Sequence, residues 1–281
     1  MKISFHKTNN GLAVYSTGEG QPILLMPYPH GFSICPIIEG ELAKILVDTG
    51  YRVVSFDPPG IFRSMRLPEI AMSEMLDCAE ETLRFYNLTD PIFLVGHSMG
   101  GLCSIAFSLL RPSLVQKLVL IGSVSGGPAI MRGKGMPWGM KYTNIDFWRF
   151  ISWGWRLSSG MGNLALHKKL LQLIWRYSYV DRNFIPKIEI ASGDKHLPAP
   201  IRDRWPIVVR HLDYHRKINE IQVPTLICVG RFDPQAPVSC SEELAQNIPN
   251  AKLEIFDRSG HYPFIEERYR FTEIVSTFLS S

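Results

Sequence analysis

Apolar positions along this 281-residue chain follow two periods, and the two alternate over most of its length. Leu12–Ser16 alternates and then turns at Gly18-Glu-Gly20. Pro22–Met26, Tyr51–Phe56, Pro91–Val95 and Lys117–Ile121 are short apolar runs closed by turn residues, and they read as buried strands. Between them, Glu41–Thr49 and Ser73–Tyr86 repeat apolar residues at helical spacing. The second of these puts Met75, Leu76, Ala79, Leu83 and Tyr86 on one face. A small-residue helix begins at Leu102 and stops near Leu110, before Arg111-Pro112. After residue 127 the rhythm fails. Phe147–Leu157 and Asn163–Tyr177 are helical in pattern, but Pro/Gly-rich breaks such as Ser192–Pro200 interrupt them. It returns with a strand at Pro224–Val229, a helix at Val238–Gln246, a strand at Leu253–Phe256 and a helix at Tyr269–Leu279. Strands joined by helical crossovers imply a parallel sheet buried on both faces. The expected architecture is an α/β core of residues 1–127 and 213–281, with residues 128–212 inserted as a helical lid.

Composition agrees with that division. Apolar content of 46% and charged content of 20% suit a globular protein with a sizeable core. The net charge of +4 is too small to suggest nucleic acid, but it is unevenly spread. Residues 128–220 hold 16 Lys+Arg against 7 Asp+Glu, which leaves the remainder of the chain acidic, and all six tryptophans fall in the same window. The five cysteines are scattered without metal-binding spacing, as expected of free thiols in a reducing compartment. With no apolar leader at the N-terminus and no run long enough to span a bilayer, the expected location is cytoplasmic, without stable membrane insertion.

The chemistry begins at Gly96-His-Ser98-Met-Gly100. A Gly-x-Ser-x-Gly between a buried strand and a helix is the layout of a nucleophile elbow, which holds the serine hydroxyl clear of the backbone on a tight turn. A serine hydroxyl becomes an effective nucleophile only when a base takes its proton and an acid orients that base. Asp233 follows the strand 224–229, and His261 follows the strand 253–256. In a parallel sheet the carboxyl ends of the strands share one rim, so Ser98, Asp233 and His261 are expected to converge there. Neither metal nor cofactor is implied. The eight histidines show no HExxH, and the i, i+4 pair His211/His215 lacks a third ligand. A small-molecule substrate is the expected partner.

The order Ser98, Asp233, His261 is that of the α/β-hydrolases, and over essentially its whole length the chain resembles that superfamily. Asp57-Pro-Pro-Gly60-Ile-Phe-Arg-Ser64 looks like the D-x-P-G-x-G-x-S loop of the superfamily, with Phe62 in place of its middle glycine; Asp57 is expected to tie this loop. Gly230–Pro237 and Ser259–Glu267 are similar to the proline-iminopeptidase branch and its esterase-like relatives, although the HGGPG hallmark of the former is absent. With serine at the elbow, the aspartate-nucleophile members are excluded. The resemblance implies an α/β-hydrolase fold and an oxyanion hole in which Met99 gives one N–H. Phe32 gives the other if His30-Gly31 matches the superfamily's His-Gly pair, and Tyr28 gives it if Pro27-Tyr28 does, because the next residue, Pro29, has no N–H.

The lid is expected to choose the substrate. Ile145–Leu157 carries five aromatics in thirteen residues, which either pack the lid onto the core or line an apolar pocket. On the second reading His30, Trp138, Trp148 and Trp153 are pocket residues. Membrane contact or attraction of an anionic substrate are further uses of so basic a segment. The expected activity is hydrolysis of a carboxylic ester with an apolar portion through an acyl-enzyme. Proline-iminopeptidase-like action, carbon–carbon bond hydrolysis, perhydrolysis and a non-catalytic ligand-binding role remain alternatives.

Overall fold

Period-two alternation sends successive side chains to opposite faces of a strand, and in this protein both faces are covered. The computed structural model describes residues 1–29, 33, 35–65, 71–186 and 208–281. Eight strands form one sheet: β1 (Ser4–Lys7), β2 (Ala13–Thr17), β3 (Pro22–Met26), β4 (Arg52–Phe56), β5 (Ile92–His97), β6 (Val115–Ile121), β7 (Thr225–Gly230) and β8 (Ala251–Phe256). Their order is β1-β2-β4-β3-β5-β6-β7-β8. Pairing is parallel from β4 to β8, while β2 joins both β1 and β4 in antiparallel fashion. The described helices are α1 (Glu41–Asp48), α2 (Met72–Phe85), α3 (Met99–Leu110), α4 (Gly127–Arg132), α5 (Ile145–Ser158), α6 (Leu164–Ser178), α7 (Val238–Asn247), α8 (Pro263–Glu266) and α9 (Arg268–Ser280).

Leu24, Met26, Leu94, Leu118 and Leu120 point to the face packed by α2, α3 and α7, through Met75, Leu83, Leu102, Ile105 and Leu244. Ile23, Leu25, Val95, Val119 and Ile121 point to the other face, covered by α1 and α9 through Leu42, Ile45, Phe271 and Val275. Each buried aliphatic side chain contributes about 2 kcal/mol, so a one-residue slip would cost several such contacts on both faces at once. This is the parallel α/β sheet expected from the strand–helix rhythm, arranged in the α/β-hydrolase fold that the resemblance implies.

Strand order reverses between β3 and β5, which opens a crevice at their carboxyl ends. Here the backbone after β3 lies hard against the start of α3: a Cβ on Gly100 would sit 2.5 Å from the Met26 carbonyl oxygen. Asp57, just past β4, is buried and ties its loop as expected. Its Oδ2 accepts from the Tyr15 hydroxyl at 2.5 Å and the Arg63 N–H at 3.0 Å. Burial pushes its carboxyl up to about 6. Phe62, standing where the resemblance implies glycine, has φ +48, so the turn keeps a left-handed backbone despite its side chain.

Among the described residues, 127–212 add no strand to the sheet. The two ends of that segment are fastened together: Gly127 N–H donates to Leu212 O at 3.0 Å, and Tyr214 N–H to Ser125 O at 2.9 Å. Beside them, Gly126 and Asp213 form an isolated antiparallel bridge. All five cysteines are free, and among the described residues no helix is long and apolar enough to cross a membrane.

Candidate active site

Ser98 caps α3 with φ +53 and ψ −123, a conformation that costs a non-glycine residue on the order of 1–3 kcal/mol. The surroundings hold it there. Its N–H donates to Ile121 O at 2.8 Å, and its carbonyl accepts from Gly101 N–H at 3.0 Å and from the Ser123 hydroxyl at 3.2 Å. Ser98 is partly exposed, in contrast to His97 before it, which is buried. The strained turn thus leaves the serine partly accessible while the histidine before it is enclosed. Met99 is the first residue of α3, so its N–H has no carbonyl partner within the helix.

Asp233 and His261 meet on the loops after β7 and β8. Their side chains are buried, with His261 Nδ1 2.7 Å from Asp233 Oδ2. Asp233 Oδ1 accepts from the N–H groups of Gln235 at 2.8 Å and Ala236 at 3.0 Å. A carboxylate only accepts, so His261 carries its hydrogen on Nδ1 and leaves Nε2 as a base. The pair lies beside the end of β6: a Cβ on Gly122 would be 2.9 Å from Asp233 Oδ2 and 3.1 Å from His261 Nδ1. Gly122 directly follows Ile121, the residue that holds the Ser98 backbone. The three residues therefore gather at one rim, around the end of one central strand.

The segment after β6 clamps the same loops. Met136 N–H donates to Pro234 O at 2.5 Å, and Gln235 Nε2 donates to the Ser178 hydroxyl at 2.8 Å. The His261 N–H donates to Ser178 O at 2.7 Å. Glu266 accepts from the N–H groups of Val180 at 2.7 Å, Asp181 at 3.1 Å and Gly260 at 2.7 Å. Glu266 had no role in the sequence reading beyond its place in a similar motif, and nothing in its local pattern marks it as a bridge between chain segments.

Other expected site residues are dispersed. His30 and Phe32 lie outside the described residues. The Tyr28 side chain reaches His97, with its hydroxyl 2.5 Å from Nδ1. Trp153 packs with Phe150 against Leu157, Leu166 and Leu170, inside the α5–α6 pair. Trp148 donates its indole N–H to Tyr142 O at 2.8 Å and is 56% exposed, and Trp138 is half exposed. His215 Nδ1 lies 3.1 Å from Glu243, and among the described residues no group of three or more His, Cys, Asp and Glu side chains is placed to hold a metal ion.

Sheet order, elbow and rim together make up the α/β-hydrolase fold. A family model described as the alpha/beta hydrolase fold matches residues 29–149. The chain is 28% identical over 244 residues to a 2-hydroxy-6-oxononadienedioate/2-hydroxy-6-oxononatrienedioate hydrolase of Dechloromonas aromatica, covering 84% of this chain and 78% of that protein. It is 27% identical over 276 residues to the AB hydrolase superfamily protein YisY of Bacillus subtilis, covering 96% of each. An alpha/beta fold family hydrolase from Bacillus anthracis superposes with a TM-score of 0.79 at 21% identity, over 99% of both chains. These findings show the fold. The Dechloromonas relative is named for an oxo-dienoate substrate and not for the proline-iminopeptidase branch that the tail motifs resemble.

Proposed function

We propose that this protein is a serine hydrolase that works through an acyl-enzyme, with Ser98 as nucleophile, His261 as base and Asp233 as the group that fixes the imidazole. The observation that carries this reading is the buried 2.7 Å bond from His261 Nδ1 to Asp233, which leaves Nε2 for the serine proton, beside a strained elbow. Ser98 Oγ attacks a carbonyl carbon as His261 Nε2 takes its proton. The Met99 N–H, with a second donor from the loop after β3 (Phe32 or Tyr28), stabilises the oxyanion. His261 returns the proton to the leaving group and then activates water to free the acid. Residues 128–212 serve as the lid.

The substrate on this reading is a carboxylic ester with an apolar portion. A second reading is favoured by the Dechloromonas relative. The compound in its name is a dicarboxylate bearing a 6-oxo group and no ester, so its hydrolysis adds water across a carbon–carbon bond next to a ketone. The basic balance of the lid suits such a dianion. A fluorophosphonate probe tests the common core: wild type is expected to label, and Ser98→Ala is expected not to and to lose at least 10³-fold in kcat. Absence of labelling in folded wild type refutes the proposal. A panel of p-nitrophenyl esters, 2-hydroxy-6-oxo-dienoates and aminoacyl arylamides then decides among the bonds cleaved.

A further inference from the structure

The residue between glycine and serine in Gly96-His97-Ser98 reads in sequence as filler, yet it is among the most enclosed polar side chains of the molecule. His97 ends β5 with 1% exposure. Its ring lies among the rings of His261 (4.6 Å between centroids), Phe264 (5.1 Å), Tyr262 (5.2 Å) and Tyr28 (5.7 Å). A buried imidazole in aromatic surroundings must satisfy both nitrogens locally. Nε2 is 2.8 Å from the backbone carbonyl oxygen of His261, and Nδ1 is 2.5 Å from the Tyr28 hydroxyl. A carbonyl only accepts, so Nε2 carries the hydrogen. Nδ1 is then the acceptor, and the Tyr28 hydroxyl donates to it. Burial, with His261 close by, holds the His97 imidazolium well below the ordinary histidine range.

This chain of bonds joins three loops at the rim: the one after β3 through Tyr28, the elbow after β5, and the loop after β8 through His261. The His261 backbone is therefore gripped on both sides, its N–H by Ser178 O and its carbonyl by His97. Its ring is gripped by Asp233. Resting on the serine-hydrolase reading, we infer that His97 is a positioning residue for His261: oriented by the Tyr28 hydroxyl, it holds the His261 carbonyl and so sets the imidazole against Ser98. The Tyr28 hydroxyl is committed to this bond.

Glutamine places an amide N–H2 where Nε2 lies, and leucine places nothing polar there. His97→Leu is expected to lower kcat about 10- to 100-fold with KM within twofold, as for a misplaced base, and His97→Gln to recover most of that loss. Tyr28→Phe, which removes one oxygen and fills the same space, is expected to lower kcat by a smaller factor. Equal kcat for His97→Leu and His97→Gln, or a loss confined to KM, overturns the inference. Should His97→Leu not fold, Tyr28→Phe carries the kinetic test, and a kcat equal to wild type refutes the coupling. Imidazole ¹⁵N spectra of wild type give a test that needs no substrate. His97 is expected as a neutral Nε2–H tautomer that does not titrate between pH 5 and 8, and Tyr28→Phe is expected to shift its Nδ1 resonance. An Nδ1–H tautomer, or ordinary titration, overturns the assignment. Failure of wild type to label with fluorophosphonate refutes the serine-hydrolase reading itself and leaves the tautomer result standing.

Discussion

Helices α5 and α6 are both long, aromatic and basic, yet they do opposite things. The far end of α6 is fastened to the candidate catalytic loops. Ser178 accepts the His261 N–H, Tyr179 stacks on Tyr262 at 4.6 Å and 16°, and Glu266 gathers the amides of Val180, Asp181 and Gly260. Trp175, 7% exposed, packs with Tyr179, Tyr262 and Ile265. Among the described residues, helix α5 turns Phe150, Trp153 and Leu157 inward, and its buried Asp146 accepts from Arg149, Arg176 and Tyr177. Ile145, Trp148, Ile151 and Trp155 stand exposed along its other side, Trp155 at 62%. The aromatic cluster that looks uniform in sequence thus divides into one part packed against α6 and one that faces outward. Trp175, which packs beside the neighbour of His261, lies outside that cluster.

If α6 is the fastened helix, its buried tryptophan should matter most. Trp175→Ala is expected to cost about 3–5 kcal/mol in urea unfolding; a cost under about 1 kcal/mol removes the contrast with α5. Next comes the contact itself. A Cβ on Gly260 would run into the Ser178 carbonyl oxygen. Gly260→Ala should therefore part α6 from the histidine loop, at about 2–3 kcal/mol and on the order of 10²-fold in kcat. Wild-type kinetics in that variant would show that the closeness of helix and loop is unimportant to the site.

A smaller effect sharpens the comparison through pH. Burial raises the Glu266 carboxyl above its ordinary value even though three amides donate to it. A carboxyl with a raised folded-state pKa adds stability below its unfolded value and loses it as pH rises through the folded one. The stability of wild type relative to Glu266→Gln should therefore fall as pH rises from about 4.5. A difference that grows instead means that the ionised carboxylate is the favoured form. The smallest effect belongs to α5: Trp155→Ser is expected to change stability by less than about 0.5 kcal/mol. A loss comparable to that of Trp175→Ala would show that the outward face is covered in solution.

The core elements were legible because burial on two faces imposes a period that survives in one dimension. Strand β1 escaped notice because its four residues are all exposed and carry no such signal; it joins the sheet at its edge by antiparallel pairing with β2. Helix α4 escaped because it starts at Gly127-Pro128, which reads as a break. Ser98, Asp233 and His261 were legible as residues on the turn or loop after a strand, since a parallel sheet sends such positions to one rim. His97 and Glu266 were not. Each acts on a backbone group far away in the chain, and no local pattern records a partner of that kind.

Sequence alone determined the layered α/β sheet, the tight serine turn, and the gathering of Ser98, Asp233 and His261 at one rim, because these follow from local periods, turn chemistry and strand direction. Only the tertiary structure decided which aromatics face inward and that His261 is gripped through its own backbone from two sides. It also decided that a histidine read as filler carries its hydrogen on Nε2. Those outcomes depend on groups between 28 and 164 residues apart meeting at hydrogen-bond distance, which the assembly of the sheet and the loops at its rim brings about.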